Sequence, residues 1–98
     1  MRYTYSIERI NKEDRWIFLT SNDALDLEEP DSFVFLLKKI KARVGGPIME
    51  TGEMCYIIPA DGLGLNYQWD TLFGITIVYP KTAQVEAVID FLLSFNEE

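Results

Sequence analysis

The chain has 98 residues and a formal net charge of −7, with one cysteine and no histidine. This length favours a single domain that can bury a core without metals or disulfides. The absence of histidine removes the commonest general base and the commonest metal ligand. The acidic charge disfavours binding to nucleic acid or to an anionic membrane, because both recognise basic surfaces.

The charge is unevenly spread along the chain. Residues 1–43 carry eight acidic and eight basic residues, whereas residues 44–98 carry eight acidic residues and only Lys81. This asymmetry predicts an acidic surface that attracts a basic partner. Because there is no apolar signal region and no apolar stretch near the roughly 20 residues that span a bilayer, we expect a cytoplasmic protein.

The N-terminal part of the chain predicts a hairpin followed by a helix. Tyr3, Tyr5 and Ile7 alternate with polar residues, as in a half-buried strand, and residues 16–20 predict a second strand after a turn at 11–14. A helix is expected over residues 30–44, with Gly45 and Gly46 ending it. The basic run 38–43 then interacts favourably with the helix dipole, which we prefer to a phosphate-binding interpretation.

The second half predicts three strands and a helix. A short apolar strand over 53–58, with Cys55 as an inert core thiol, precedes a plain turn at 61–64. Residues 65–70 and 73–79 alternate in polarity and predict a second hairpin. A helix capped by Thr82 should bury one apolar stripe, formed by Val85, Val88, Ile89, Leu92 and Phe95.

The predicted fold class is therefore α+β in a single domain. A largely antiparallel sheet of about five strands carries two helices on one face, in the order ββαβββα. The other face need not be covered and could meet solvent or a partner.

The first candidate site is the acidic connection between the N-terminal hairpin and the first helix. Five carboxylates lie in nine residues without a base: Asp23, Asp26, Glu28, Glu29 and Asp31. A calcium loop is disfavoured, because the segment lacks the turn glycine and the ligand spacing. Two interpretations stay open, a docking surface for a cationic partner and a solvated loop before a helix.

The second candidate site is the aromatic hairpin around Tyr67, Trp69 and Asp70. Aromatic side chains on a sheet are usually core residues or cross-strand pairs. Tyr and Trp are also enriched in interface hot spots, and here they would lie beside a carboxylate. Both interpretations stay open.

The sequence offers no Ser/His or Cys/His pair, so nucleophilic catalysis of that kind is excluded. Carboxylate chemistry would need two acids in a substrate cleft, for which a chain of this size has little room. We therefore expect a protein that is not an enzyme, with no cofactor and no metal.

Residues 65–80, followed by a C-terminal helix, resemble small immunity proteins of bacterial polymorphic and contact-dependent toxin systems. The resemblance implies an acidic, single-domain, cytoplasmic and non-enzymatic protein that neutralises a cognate toxin by binding it. Trp69 and Asp70 would be its motif positions. A basic protein partner such as a toxin nuclease domain fits the acidic charge.

Three hypotheses follow from these observations. The first is a non-catalytic immunity protein that binds a toxin through an acidic surface. The second is a small ligand-binding or regulatory module that uses the open sheet face, and the third is an enzyme with carboxylate chemistry. An exposed sheet edge could also pair two copies into a dimer.

Overall fold

The computed structural model describes residues 4–21, 31–70 and 74–97. These residues form a six-stranded sheet and two α-helices, which confirms the predicted α+β class with one strand more than expected. The elements are β1 (Tyr5–Asn11), β2 (Trp16–Ser21), α1 (Asp31–Val44), β3 (Met49–Gly52), β4 (Cys55–Ile57), β5 (Asn66–Asp70), β6 (Gly74–Val78) and α2 (Val85–Leu93), with short 3₁₀ helices at Pro59–Asp61 and Ser94–Glu97.

The strands lie in the order β1-β2-β6-β5-β4-β3, and every neighbouring pair is antiparallel. Both predicted hairpins are present, and β2 of the first pairs with β6 of the second. The N-terminal and C-terminal halves of the chain therefore share one sheet, whose edges are β1 and β3.

Strand β3 is the additional strand. We expected a strand over residues 53–58, but the chain turns at Glu53 and Met54 and pairs Cys55 with Gly52. Met54 adopts a left-handed φ of 55°, which is uncommon for a residue with a side chain. Since all four residues of β3 are exposed, they carry no alternation of apolar and polar side chains that would predict a strand.

Helix α1 matches its prediction within one residue. It buries Phe33, Leu36, Leu37 and Ile40. Gly45, at φ 70°, follows the last helical residue, and its amide donates to the Lys41 carbonyl at 2.8 Å. A glycine suits this position because it adopts the left-handed conformation without steric cost.

Helix α2 begins later than predicted. Its N-cap is Gln84 and makes no side-chain hydrogen bond, so the expected cap at Thr82 was wrong; Thr82 lies in the preceding turn. The predicted apolar stripe is confirmed, since Val88, Leu92 and Phe95 are buried and the other two members pack against the core.

Both helices cover the same face of the sheet. Register places the buried strand side chains on one face, where they form a single cluster with the helix stripes: Tyr5, Ile17, Leu19, Tyr67, Ile75 and Ile77. Trp16, Phe18, Thr76 and Val78 alternate with them and lie on the opposite face, which we call the open face. Among the described helices, none is long and apolar enough to cross a membrane.

The chain after α2 is bound to both α1 and β1. The side-chain oxygen of Asn96 accepts from the Tyr5 amide and its nitrogen donates to the Tyr5 carbonyl, each at 2.7 Å. Lys39 donates to the Phe95 carbonyl at 3.2 Å, and the Arg43 guanidinium lies 3.8 Å from the centre of the Phe95 ring. These two members of the basic run therefore also bind the 3₁₀ helix that follows α2.

Candidate functional site

The described residues on either side of the acidic connection lie close to each other. Asp23, Asp26, Glu28 and Glu29 lie outside the described residues. Ser21, just before the connection, pairs with Tyr5, and the Tyr5 hydroxyl donates to the carbonyl of Ser32 at 2.7 Å. Both ends of the connection are thus anchored close to Tyr5, at one end of the sheet.

Asp70 lies at the same end of the sheet. Ile75 of β6 pairs with Leu19 of β2 on one side and with Trp69 of β5 on the other, so β2 and β5 end at a similar level. Two strand spacings separate them, which is about 10 Å. Asp70 is exposed and is the last residue of β5.

Glu53 completes this group of carboxylates. The Trp69 amide donates to the Met54 carbonyl at 3.1 Å, which brings the turn between β3 and β4 beside the end of β5. Glu53 is exposed in that turn. We call Glu53, Asp70, Asp31 and the two attachment points of the connection the acidic end of the sheet; it unites the two candidate sites that the sequence left separate.

The aromatic members of the second candidate site lie on the face that the helices cover. Tyr67 is 0% exposed and belongs to the core, so in this fold it offers no surface to a partner. Trp69 is half-buried and packs against the core, and the next residue, Asp70, is exposed. Tyr67 is therefore a core residue in this fold. Trp69 and Asp70 remain candidates for contact with a partner.

Asp61 is a buried carboxylate that the sequence analysis missed. It accepts from the amides of Leu63 and Gly64, both at 2.8 Å, and from the Tyr67 hydroxyl at 2.6 Å. A longer contact of 3.3 Å joins it to the Leu65 amide. The Asp-Gly pair in the predicted turn was the available signal, because aspartate side chains often bind the backbone amides that follow them.

The chemistry around Asp61 is structural. A carboxylate has about four acceptor positions, and four donors surround this one. Burial raises the pKa of the Tyr67 hydroxyl far above its usual range, and the hydrogen bond to Asp61 raises it further. The pair therefore holds a carboxyl acceptor and a protonated hydroxyl donor together in the core, with no acceptor position left for a substrate proton.

The open face carries an aromatic pair. The Trp16 and Phe18 rings stack with centroids 4.1 Å apart and planes inclined by 18°, and the Arg9 guanidinium lies 5.8 Å from the Trp16 ring centre. Cys55 also lies on this face, opposite Gln68, and is half-buried. The expectation that Cys55 is a core thiol was therefore wrong, because β4 directs Tyr56 rather than its neighbours towards the helices.

Over the described ranges, no three cysteine or carboxylate side chains lie close enough together to hold a metal ion. No family model, no curated protein and no solved structure matches the chain. The function must therefore be inferred from the surfaces themselves.

Proposed function

We propose that this chain is a non-catalytic immunity protein that binds and neutralises a cognate toxin through the acidic end of the sheet. The observation that carries the proposal is the convergence of the two sequence candidates. Glu53 and Asp70 lie at the sheet end where the acidic connection starts and finishes. Four further carboxylates and no base lie within that connection.

An acidic surface of this kind suits a basic protein partner. Toxins that cleave nucleic acid bind phosphates through basic residues, so an acidic inhibitor would compete for the same surface. Opposite charges also steer the two proteins together and raise the association rate. We place this interaction in the cytoplasm, where a nuclease toxin would meet its target.

The same reasoning favours inhibition by binding over catalysis. Asp61 is the one buried charged side chain among the described residues, and protein donors surround it. The described carboxylates of the acidic end are exposed, Glu53 in a turn, Asp70 at a strand end and Asp31 at a helix start, where they can contact a partner. Catalysis by paired carboxylates needs an enclosed site with separated pKa values.

The test uses the tagged protein as bait in lysate of its native host, at low and high salt, followed by co-expression of the captured protein. We expect a basic, stoichiometric partner that salt weakens and whose toxicity the wild-type chain suppresses. The double variant Glu53→Lys/Asp70→Lys should bind it less tightly. Glu86→Lys/Asp90→Lys changes the net charge equally at exposed positions of α2 and should behave as wild type.

Two outcomes would contradict the proposal. One is a captured protein whose activity the chain does not suppress. The other is equal binding by the acidic-end variant and the wild type, which would move the contact away from the acidic end.

A small ligand-binding module is the second candidate function, and the stacked Trp16–Phe18 pair on the open face favours it. Flat ligands bind well against aromatic rings. Native mass spectrometry of the purified protein would distinguish the two functions. A small molecule that wild type retains and Trp16→Ala loses would favour the ligand-binding module.

A further inference from the structure

The two edges of the sheet differ in how they are protected. At β1, the Asn96 side chain binds both the amide and the carbonyl of Tyr5. The register of β1 against β2 also shifts between Ile7 and Arg9, which marks a bulge. The Asn96 side chain occupies edge groups that an added strand would need, and the bulge interrupts the strand in its middle, so β1 is a closed edge.

Strand β3 has less protection. Its four residues are exposed, and β4 is its one neighbour in the described sheet. The Thr51 hydroxyl donates to the Cys55 carbonyl at 3.3 Å, a contact inside the hairpin. The register of β3 also shifts, but after Glu50 and close to the turn, so Met49 and Glu50 keep regular antiparallel pairing. One of these two residues directs its amide and carbonyl to the outer edge, where a strand can bind.

The side chains of β3 define what such a strand would carry. Glu50 pairs with Tyr56 and lies on the side of the helices, whereas Met49 pairs with Ile57 and lies on the open side. Met49 is 52% exposed, the larger value of the two exposed large hydrophobic side chains in the described ranges. A matching strand would therefore alternate basic side chains towards Glu50 with apolar side chains towards Met49.

We propose that the β3 edge binds an extended cationic segment of a partner polypeptide, which adds to the sheet as a seventh strand. Charge complementarity supports this occupant. Glu50 and Glu53 lie on the hairpin, and residues 44–80 contain no Lys or Arg. The inference rests on the proposed function, since it supplies the contact by which a basic toxin binds.

Charge also argues against a second copy of this chain as the occupant. Antiparallel pairing of two β3 strands would bring the acidic hairpins of two copies side by side, and each copy carries a net charge of −7. Like charges in adjacent strands destabilise the pairing. A cationic segment converts the same carboxylates into favourable contacts.

The test is a titration of the ¹⁵N-labelled protein with three capped peptides of equal length. The first alternates Lys and Val, the second alternates Lys and Pro, and the third alternates Glu and Val. Proline keeps the charge but cannot form a β-ladder. We expect only the Lys–Val peptide to shift the amide signals of residues 48–52 and to slow their hydrogen exchange.

A charge-reversed pair of variants sharpens the test. Glu50→Lys/Glu53→Lys should weaken binding of the Lys–Val peptide about tenfold, because two exposed ion pairs become repulsions. The same variant should gain affinity for the Glu–Val peptide. Glu8→Lys/Glu13→Lys, at exposed positions of the first hairpin, is the matched control and should leave both affinities unchanged.

Four outcomes would overturn the inference. The first is amide shifts confined to β1 or the open face, and the second is equal amide shifts with the Lys–Pro peptide. The third is no amide shift at millimolar peptide. The fourth is concentration-dependent amide shifts at residues 48–52 without peptide, which would indicate pairing with a second copy. The proposed function fails separately. If a neutralised toxin protects amides away from β3, the proposed function holds but the β3 contact does not. If a peptide adds to β3 but no toxin is neutralised, the β3 contact holds but the proposed function does not.

Discussion

Asp61 shows how one side chain determines the conformation of a loop between two strands. In the loop from residue 61 to residue 65, the amides of Leu63 and Gly64 donate to the Asp61 carboxylate at the start of the loop. The Tyr67 hydroxyl donates to the same carboxylate from inside the core. A buried carboxylate is costly unless it is hydrogen-bonded, and charge-assisted bonds of this kind are the stronger class.

The Tyr67 hydroxyl should make the free energy of unfolding depend on pH in the alkaline range. Its pKa is raised in the folded chain, whereas an unfolded tyrosine ionises near pH 10. Below about pH 10 both states keep the proton, so this group adds no pH dependence there. Above it only the unfolded state loses the proton, and the free energy of unfolding should fall by up to about 1.4 kcal/mol per pH unit.

Urea denaturation at about pH 9 and about pH 11 measures this slope. Tyr67→Phe should be less stable by about 1 kcal/mol at neutral pH, because a buried hydrogen bond is lost. Its stability should also decline less steeply above about pH 10 than that of the wild type. Equal slopes in the two proteins would show that Tyr67 ionises freely in the folded state.

Arg15 is a residue at which the fold carries strain. It ends the turn between β1 and β2 at φ 59°, and its buried Nε has no hydrogen-bond partner in the described part of the structure. A left-handed residue with a side chain costs about 1 kcal/mol, and a buried unpaired donor adds to that cost. Arg15→Gly should therefore raise the free energy of unfolding by about 1 kcal/mol, after allowance for the flexibility of glycine in the unfolded chain.

Arg15→Ala is the control for this prediction. It removes the unpaired donor but keeps the left-handed backbone, so denaturant curves should place it between wild type and Arg15→Gly. An alanine variant more stable than the glycine variant would show that backbone strain is not the cause.

At the scale of elements, the long periodic segments were predictable. Helix α1 and the stripe of α2 each repeat apolar residues with helical spacing, and both hairpins alternate in polarity, so local pattern and final packing agree. Strand β3 was not predictable because it is exposed and owes its existence to pairing with β4. The position of Cys55 depended on the same hairpin, since the turn at Glu53 and Met54 sets which face β4 presents.

The candidate site was predictable in its residues but not in its arrangement. The sequence marks Asp70 and the acidic connection as unusual, yet they lie far apart along the chain. Only the pairing of β2 with β6, and of β6 with β5, brings them to one end of the sheet. That order of strands is a long-range property, which local periodicity does not specify.

The C-terminal 3₁₀ helix depends on Asn96 for its place in the fold. Asn96→Ala should lower the free energy of unfolding by about 2 kcal/mol, because two hydrogen bonds to Tyr5 are lost and the edge of β1 is exposed. Chemical denaturation measures the loss, and amide exchange at Tyr5 should accelerate.

Asn96→Asp separates the two bonds. It keeps an acceptor for the Tyr5 amide but faces the Tyr5 carbonyl with a second acceptor, so it should also be less stable than the wild type. If neither variant changes stability or exchange at Tyr5, the edge of β1 is held by other contacts.

At the scale of the whole molecule, the fold separates charges that lie close together along the chain. The acidic connection and the basic residues of the first half belong to the same balanced stretch of sequence. Lys12 and Arg15 lie in the turn at the opposite end of the first hairpin from Ser21. Residues of the second half, Glu53 and Asp70, instead join the end where the connection is anchored.

This separation predicts how the chain would associate with the basic toxin that we propose as its partner. Reversing Asp23, Asp26, Glu28 and Glu29 to Lys should slow association roughly tenfold at low salt, because electrostatic steering is lost, and should flatten its dependence on ionic strength. Stopped-flow mixing with the captured partner measures both. A matched variant reverses four exposed carboxylates that do not belong to the acidic end: Glu8, Glu13, Glu86 and Asp90. Equal slowing by both variants would show that net charge, rather than its location, governs the encounter, and an unchanged rate in the first would remove the acidic connection from the docking surface.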